Sequence, residues 1–338
     1  MIQQTIADLP KSRVAPRRPF AVCGVDYCGP VYIRSPVRNR APTKAYIAIF
    51  VCFTTRAVHI ELVSDLSTPA FIAALRRFAA RRKMPCEIHS DNGTTFKGTH
   101  NELRRIYEML KGDEGGRKQI FDWCANSGIE WHFIPPRSPH FGGLWEAAVK
   151  SAKHHLLREI GHTNMSYEDM TTLLTEVEMC LNSRPLVPIP TEPDDVEALT
   201  PGHFLIGESL QAPANDDLTD VPDNRLSHWD LTQKRFQRIW RRWYPEYLQQ
   251  LQARATKGRK PSVVIHPGQM VIIKDDQLPP IAWPLGIVTD VHPGKDGIVR
   301  VVTLRTAKRD SVVRAVAKLA LLPTPETPQI AEPEPESS

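Results

Sequence analysis

Apolar residues recur along this chain at the spacing of strands in some segments and of helices in others. The stretch FAVCGVDYCGPVYI is rich in Val and aromatic residues and predicts a first strand. The apolar run KAYIAIFVCFTTRAVHIELVSDL is broken around residues 54–57, which predicts two further strands in a hairpin or meander. In STPAFIAALRRFAARRKM the apolar residues recur at helical spacing, and Ser67 and Pro69 are typical of a helix start.

Strands and helices continue to alternate after this helix. A short apolar stretch that ends at Ile88 predicts a fourth strand, followed by a turn at Asp91 and a helix over TTFKGTHNELRRIYEML. The sequence then predicts an exposed loop at KGDEGGR, a short helix near residues 119–126, a fifth strand at GIEWHFIPP, and two helices at LWEAAVKSAKHHLLREIG and SYEDMTTLLTEVEMCLNSRPL. This alternation favours an α/β fold with a mixed sheet covered by helices.

The C-terminal part has a different pattern. Residues 187–227 are rich in Pro and Asp and predict little regular structure, and SHWDLTQKRFQRIWRRWYPEYLQQLQAR predicts a long basic helix with Pro245 as a candidate interruption. Short strands separated by Pro and Gly turns follow at VVIHPGQMVIIKD, WPLGIVTDVHPG and IVRVVTLRT, a pattern typical of a small β-barrel. The acidic, Pro-rich tail is expected to be disordered.

Composition narrows the class of protein. The net charge of +5 fits a polyanionic partner without requiring one. No apolar run approaches the length of a membrane span, and the N-terminus lacks the apolar core of a signal peptide, so a cytosolic or nuclear protein is expected. None of the six cysteines forms a CxxC pair or has a His at zinc-finger spacing, which predicts reduced, partly buried thiols.

Three carboxylates stand out by position. Asp26 lies inside the first strand, where an unpartnered charge is costly, Asp91 closes the fourth strand, and Glu146 lies in the helix after Gly142 and Gly143. Taken singly, Asp91 is more typical of a turn and Glu146 of a solvated helix face. If the first and fourth strands are neighbours, however, the three groups could converge, and Mg²⁺ or Mn²⁺ would then offset their repulsion.

Three segments, in this order, resemble the catalytic blocks of retroviral-type integrases: GVDYCGP, HSDNGTTF and FIPPRSPHFGGLWEAAVKSAKHHL. Further segments are most similar to integrases of BEL/Pao-type LTR retrotransposons. They are RPFAVCGVDYCGP, CLNSRPL, ALTPGHFLIG, the Trp-rich helix and, near the C-terminus, GQMVIIKDD, WPLGIV and VAKLALLP. The resemblance extends from about residue 10 to residue 322.

The resemblance implies a fold and its boundaries. It implies an RNase H-like mixed five-stranded sheet with flanking helices, followed by a helical linker and a small SH3-like β-barrel. The expected segments are an irregular basic arm at 1–18, the catalytic core at 19–210, a linker with the basic helix at 211–260, the barrel at 261–322 and the tail at 323–338. The family usually carries a zinc-binding His and Cys module before the core, and we expect no zinc in this sequence.

The resemblance also implies an activity. Asp26, Asp91 and Glu146 would form a catalytic triad that holds two Mg²⁺ or Mn²⁺ ions. The implied enzyme is a polynucleotidyl transferase and endonuclease that processes the 3′ ends of element DNA and transfers them into target DNA. Element-end DNA, target DNA and further copies of the chain are the expected partners, with action in the nucleus after passage through the cytoplasm. An inactive or domesticated DNA-binding protein and an RNase H-like nuclease stay open as alternatives.

Candidate DNA contacts are basic residues near the triad and on the Trp-rich helix. Lys150 and Lys153 follow Glu146 on the same helix face, where they would hold phosphates. A solvated basic face, or an ion pair between Glu146 and Lys150, is the alternative. The other expected contacts are Arg137, His140, Arg235, Arg238, Arg241 and Arg242. The aromatic residues between these arginines fall on one stripe and are expected to pack.

Overall fold

The computed structural model describes residues 15–35, 37, 39–90, 114–133, 147–161, 165–189, 196–213, 215–256, 265–275 and 278–323. The chain divides into two compact units. The first comprises residues 1–184, 200–250 and 275–282, and the second comprises residues 185–199, 251–274 and 283–338. Within the described ranges, no helix has the length and apolar character that a membrane crossing requires.

The first unit contains the mixed five-stranded sheet that the sequence predicts. Its strands are β1 (Val22–Ile33), β2 (Thr43–Cys52), β3 (Val58–Val63), β4 (Glu87–Ser90) and β5 (Glu130–Phe133). Their order across the sheet is β3-β2-β1-β4-β5. β1, β2 and β3 form an antiparallel meander, whereas β4 runs parallel to β1 and β5 parallel to β4. The first and fourth strands are therefore neighbours, which is the condition for bringing Asp26 near the end of β4.

The described helices of this unit agree with the predicted ones, whereas the helix predicted over TTFKGTHNELRRIYEML lies outside the described residues. They are α1 (Thr68–Arg82), α2 (Glu114–Asn126), α3 (Ala147–Ile160), α4 (Tyr167–Asn182), the single turn α5 (His203–Ile206) and α6 (His228–Thr256), whose end passes into the second unit. Ser67 caps α1 by accepting a hydrogen bond from Ala70 N, as predicted. Ser166 caps α4 in a reciprocal capping box with Asp169.

Two local features differ from the sequence expectation. α2 begins at Glu114, inside the segment predicted to be an exposed loop. The glycines there fall in the first turn, where few intrahelical hydrogen bonds exist to be weakened. α6 continues through Pro245, although proline removes one backbone hydrogen bond. The helix is held on either side of Pro245 by the buried residues Trp243 and Tyr247, whose rings stack at 5.2 Å.

One face of the sheet carries the main core. Val25 and Ile88 project from β1 and β4 into a buried cluster that α1 closes with Phe71, Leu75 and Phe78. Phe78 stacks on Phe50 of β2 with ring centroids 4.3 Å apart. Because side chains alternate along a strand, Asp26 next to Val25 projects from the opposite face. The sheet thus separates the apolar core from the face that carries Asp26.

Side chains of neighbouring helices hydrogen-bond the outer edge of β3. Asn182 of α4 accepts from Val58 N and donates to Val58 O, both at 2.8 Å, and Glu178 accepts from Ile60 N at 2.8 Å. Arg77 of α1 donates to Leu62 O at 3.0 Å. An open strand edge is a template for pairing with other chains, and these side chains occupy it along its length.

The second unit holds a separate antiparallel sheet, as the C-terminal pattern predicts. Its strands are β8 (Met270–Ile273), β9 (Leu285–Pro293), β10 (Val299–Thr306), β11 (Arg309–Ala315) and β12 (Leu319–Leu321), in the order β11-β10-β9-β8-β12. A short pair, β6 (Val187–Pro188) and β7 (Ala198–Leu199), precedes them. Val271, Val288, Val302, Leu304 and Leu319 form its core. This sheet fits a small barrel-like domain.

Candidate functional site

β1 places Asp26 beside the carboxyl end of β4. Val25 pairs with Ser90, the last residue of β4, and Asp26 lies one position beyond that pair. Asp91 follows Ser90 in the sequence but lies outside the described residues. Ligands in open α/β sheets bind at the carboxyl ends of strands, so Asp26 occupies the expected part of the sheet. Further along β1, a bulge between Cys28 and Val31 accommodates Pro30 within the ladder.

Asp26 is paired with a cation from α3. Lys153 Nζ lies 2.6 Å from Asp26 Oδ2 and 3.3 Å from the carbonyl oxygen of Tyr27. The other carboxylate oxygen, Oδ1, accepts a hydrogen bond from Tyr27 N at 2.7 Å. Only 21% of the Asp26 side chain and 16% of the Lys153 side chain are exposed. The costly charge inside β1 is therefore offset by a partner on another element.

The pKa of Lys153 reflects both its burial and its contacts. Burial lowers the pKa of Lys153, but its interactions with Asp26 and Cys28 together outweigh burial, so the pKa lies above its ordinary value. Burial raises the pKa of the neighbouring Cys28 thiol to about 11, so this thiol is neutral at pH 7. The ammonium of Lys153 is thus a permanent positive charge beside Asp26 at physiological pH.

The structure describes only some of the other predicted site residues. Glu146, Arg137 and His140 lie outside the described residues, like Asp91. Lys150 is exposed on α3, one turn before Lys153.

Within the described ranges, no group of three or more His, Cys, Asp and Glu side chains is in position to hold a metal ion. All six cysteines are free thiols, and only Cys86 among them is exposed.

Three of the four α6 arginines that are expected to contact DNA are paired with acidic side chains. Arg242 and Arg238 both contact Glu159 of α3, at 2.7 and 3.4 Å, and Arg241 pairs with Asp217. Burial lowers the pKa of Arg235, and nearby acids only partly offset this. DNA contact by these arginines stays a prediction. The expected packing stripe is confirmed, because Phe236, Ile239, Trp240 and Trp243 are all buried.

A buried ionic network on β3 was not predicted. His59 lies between Glu61 and Glu178, with Nε2 to Glu61 Oε1 at 2.9 Å and Nδ1 to Glu178 Oε2 at 3.4 Å. Arg77 and Arg81 of α1 also bind Glu61. Burial lowers the pKa of His59. The hydrogen bonds and negative charges of Glu178 and Glu61 together raise it by more than burial lowers it, so the pKa of His59 lies above its ordinary value. Charged residues inside the apolar segment VHIELV were the available signal.

One known family matches the part of the chain that forms the five-stranded sheet. Residues 16–139 match the integrase core domain. The matched segment contains Asp26 and Asp91 and ends before Glu146. Residues 227–322 match a second model, described as a family of unknown function (DUF5641). No curated protein matches this chain.

Several solved structures that resemble this chain are of integrases. The HTLV-2 integrase catalytic core domain in complex with magnesium is 14% identical, with a TM-score of 0.34 over 56% of this chain and 97% of that chain. The catalytic core domain of BIV integrase is 15% identical, with a TM-score of 0.36 over 56% and 95%. The simian T-cell lymphotropic virus intasome in complex with PP2A regulatory subunit B56 gamma is 12% identical, with a TM-score of 0.35 over 94% and 84%.

Proposed function

We propose that this chain is a retrotransposon integrase of the BEL/Pao type that processes the 3′ ends of element DNA and joins them to target DNA. The observation that carries the proposal is the match of residues 16–139 to the integrase core domain, which contains Asp26 and Asp91. The register of β1 and β4 supports it, because Asp26 lies one position past the pair formed by Val25 and Ser90. The motif carrying Glu146 supplies the third acid of the proposed triad.

The proposed cofactor is a pair of Mg²⁺ or Mn²⁺ ions held by Asp26, Asp91 and Glu146. Among these three acids, Asp26 lies within the described residues and fits the role. Its carboxylate oxygens are ligands that suit hard cations, and a positive charge, the Lys153 ammonium, lies 2.6 Å from its Oδ2. When bound, such ions activate an attacking oxygen and stabilise the leaving oxygen of a phosphodiester. The chain itself supplies the fixed position of Asp26 within the sheet.

Lys153 has two proposed roles. In the absence of a divalent ion it neutralises Asp26, and with DNA bound it would donate to a phosphate of the element end instead. Lys150, one turn earlier and exposed, would contact the same backbone, as would Arg137 and His140. The four arginines of α6 would add contacts that weaken as salt rises, after exchange of their acidic partners. Assembly into a homo-oligomer, an SH3-like fold of the second unit and action in the nucleus belong to the same proposal.

A strand-transfer assay tests the proposed function. The terminal sequence of the element DNA is unknown, so a pool of blunt duplexes with randomised end positions is incubated with supercoiled plasmid and Mg²⁺ or Mn²⁺. The expected result is metal-dependent joining of duplex ends to plasmid, with sequencing of the junctions revealing the preferred end.

Each other outcome of this assay supports a different function. Cutting of the duplex without joining would favour an RNase H-like nuclease. Binding of the duplex with neither reaction would favour a catalytically inactive or domesticated DNA-binding protein. Either result from folded wild-type chain would contradict the proposed integrase.

A further inference from the structure

Two helices of the first unit, α3 and α6, meet through polar side chains that recur every four residues. These side chains are Ser151, His155 and Glu159 on α3 and Arg238, Arg242 and Glu246 on α6. Residues four apart lie on one side of a helix, so each set forms a stripe along its own helix. All six residues belong to the first compact unit. We call them the α3–α6 stripe.

The carboxylate of Glu246 bridges two residues that are one turn apart on α3. Its Oε2 accepts a hydrogen bond from Ser151 Oγ, and its Oε1 lies 2.9 Å from His155 Nε2. The His155 side chain is only 6% exposed, so it has a fixed place beside α6. Further along α3, Glu159 lies 2.7 Å from Arg242, which precedes Glu246 by one turn. The two helices therefore run antiparallel along the stripe and are joined at two successive levels.

The residue of α3 that meets Asp26 lies on the opposite side of the helix from this stripe. Lys153 is two residues from both Ser151 and His155, which places it about 160° away around the helix axis. Its Nζ lies 2.6 Å from Asp26 Oδ2 on β1. α3 is thus held from two sides, by β1 through Lys153 and by α6 through Glu246.

The contact between Lys153 and Asp26 depends on how α3 is rotated about its axis. Side-chain ends lie about 5–6 Å from a helix axis, so a rotation by about 20° moves them by roughly 2 Å. Such a movement would take Nζ from 2.6 Å to beyond the 4 Å limit of an ion pair. The Lys153 side chain is only 16% exposed and has little room to compensate by changing its conformation. Contacts on the far side of α3 therefore bear on the candidate site.

We propose that Glu246 is a positioning residue for the candidate site: by bridging Ser151 and His155, it sets the rotation of α3 at which Lys153 meets Asp26. α6 lies in residues 227–322, the region that matches the family of unknown function, so the proposal gives the first helix of that region a role at the site. Under the proposed function, the same contacts would keep Lys153 within reach of a phosphate of the element end.

A comparison of two double-mutant cycles in the full chain tests this inference. The cycle of Lys153→Met and Asp26→Asn is measured by urea unfolding at pH 7 without divalent ions, once with Glu246 present and once in the Glu246→Met background. Met keeps the unbranched side chain and removes both acceptor oxygens. With Glu246 present, the two substitutions should be coupled by a factor of about 5–30 in the folding equilibrium constant. In Glu246→Met this factor should fall at least about threefold, beyond the roughly twofold error of additivity.

The coupling factor separates positioning from a general contribution to stability. A substitution that only destabilises the fold lowers the stability of all four proteins of a cycle equally, and the coupling is unchanged. The Glu246 side chain is 45% exposed, so its replacement does not threaten the fold. Gln249→Met, at an exposed position three residues later on α6, is the matched control and should leave the factor unchanged.

A second pair of variants tests the other end of the hydrogen bond. Ser151→Thr keeps the hydroxyl group, whereas Ser151→Val has nearly the shape of Thr without it. Ser151→Val should lower the coupling factor as Glu246→Met does, and Ser151→Thr should retain it. An undiminished factor in Glu246→Met would overturn the proposal, as would an equal loss in Ser151→Thr and Ser151→Val. Because the cycles measure unfolding and not DNA joining, failure of the strand-transfer assay would not affect this test.

Discussion

The ion pair between Lys153 and Asp26 gives a quantitative prediction about the candidate site. Lys153→Met keeps the length of the side chain and removes its charge, which leaves Asp26 inside the sheet without a counter-ion. Breaking a fully buried pair costs about 3–5 kcal/mol, whereas exposed pairs contribute roughly 0–1 kcal/mol. The two side chains are 16% and 21% exposed, so we expect Lys153→Met to lower the free energy of unfolding by about 1–3 kcal/mol.

A double-mutant cycle with Asp26→Asn isolates the pair from other effects of each substitution. Urea unfolding of the four proteins at pH 7, without divalent ions, should give a coupling energy of about 1–2 kcal/mol. Lys150→Met, on the exposed face of the same helix, should change stability by less than about 0.5 kcal/mol. Added Mg²⁺ should reduce the coupling, since Asp26 would then exchange the ammonium for the ion.

The pH dependence of the coupling follows from the raised pKa of Lys153. The stabilisation that the ion pair gives should be fully present below the ordinary Lys pKa of about 10.4. It should be lost as the pH rises through the higher pKa that Lys153 has in the folded state. A coupling energy below about 0.3 kcal/mol at pH 7 would refute the reasoning, because residues without interaction add within that error.

Three further predictions concern the first unit. Asn182→Ala should lower the free energy of unfolding by about 2–4 kcal/mol in urea denaturation, because Val58 N and O lose their partners at a buried edge; a loss under about 1 kcal/mol would contradict this. His59 has a raised pKa and Glu61 a lowered one, so stability should fall as pH rises above about 6.5 and as it drops below about 4.3. The free energy of unfolding in urea, measured from pH 4 to 8, tests this. In His59→Gln it should fall less on the alkaline side than in wild type, and the same pH dependence in both proteins would refute the role of His59. Ser166→Ala removes the cap of α4 and should lower thermal stability by about 1 kcal/mol, whereas no loss would show that the capping box is dispensable.

The succession of strands and helices along the chain, and the need of Asp26 for a partner that offsets its charge, could be predicted from the sequence because both are local signals. Alternating strands and helices predict the mixed sheet, and a charge inside an apolar strand is costly wherever the strand lies. The cap at Ser67 depends on neighbours within three residues and was predicted for the same reason. The roles proposed for Asp91 and Glu146 come from the resemblance to integrases, because no local pattern assigns them.

The partners of the charged residues could not be predicted because they are distant in sequence. Lys153 lies 127 positions from Asp26, and Glu159 lies 83 positions from Arg242. A basic face on a helix looks the same whether it meets water, DNA or another helix, so only the fold shows that Arg242 has an acidic partner. The alignment of His89 with His132 likewise depends on the register between β4 and β5, which the sequence does not give.

The proposed function depends most on capture of divalent ions by acids from distant parts of the chain. The measurement that tests this most directly is Mn²⁺-dependent strand transfer by Asp26→Asn, Asp91→Asn and Glu146→Gln, each compared with wild type and with Glu168→Gln, an exposed acid on α4. All three variants should remain folded by circular dichroism, lose Mn²⁺ binding at this site and fail to join DNA, while Glu168→Gln joins normally. Joining by any of the three at the wild-type rate would contradict the account.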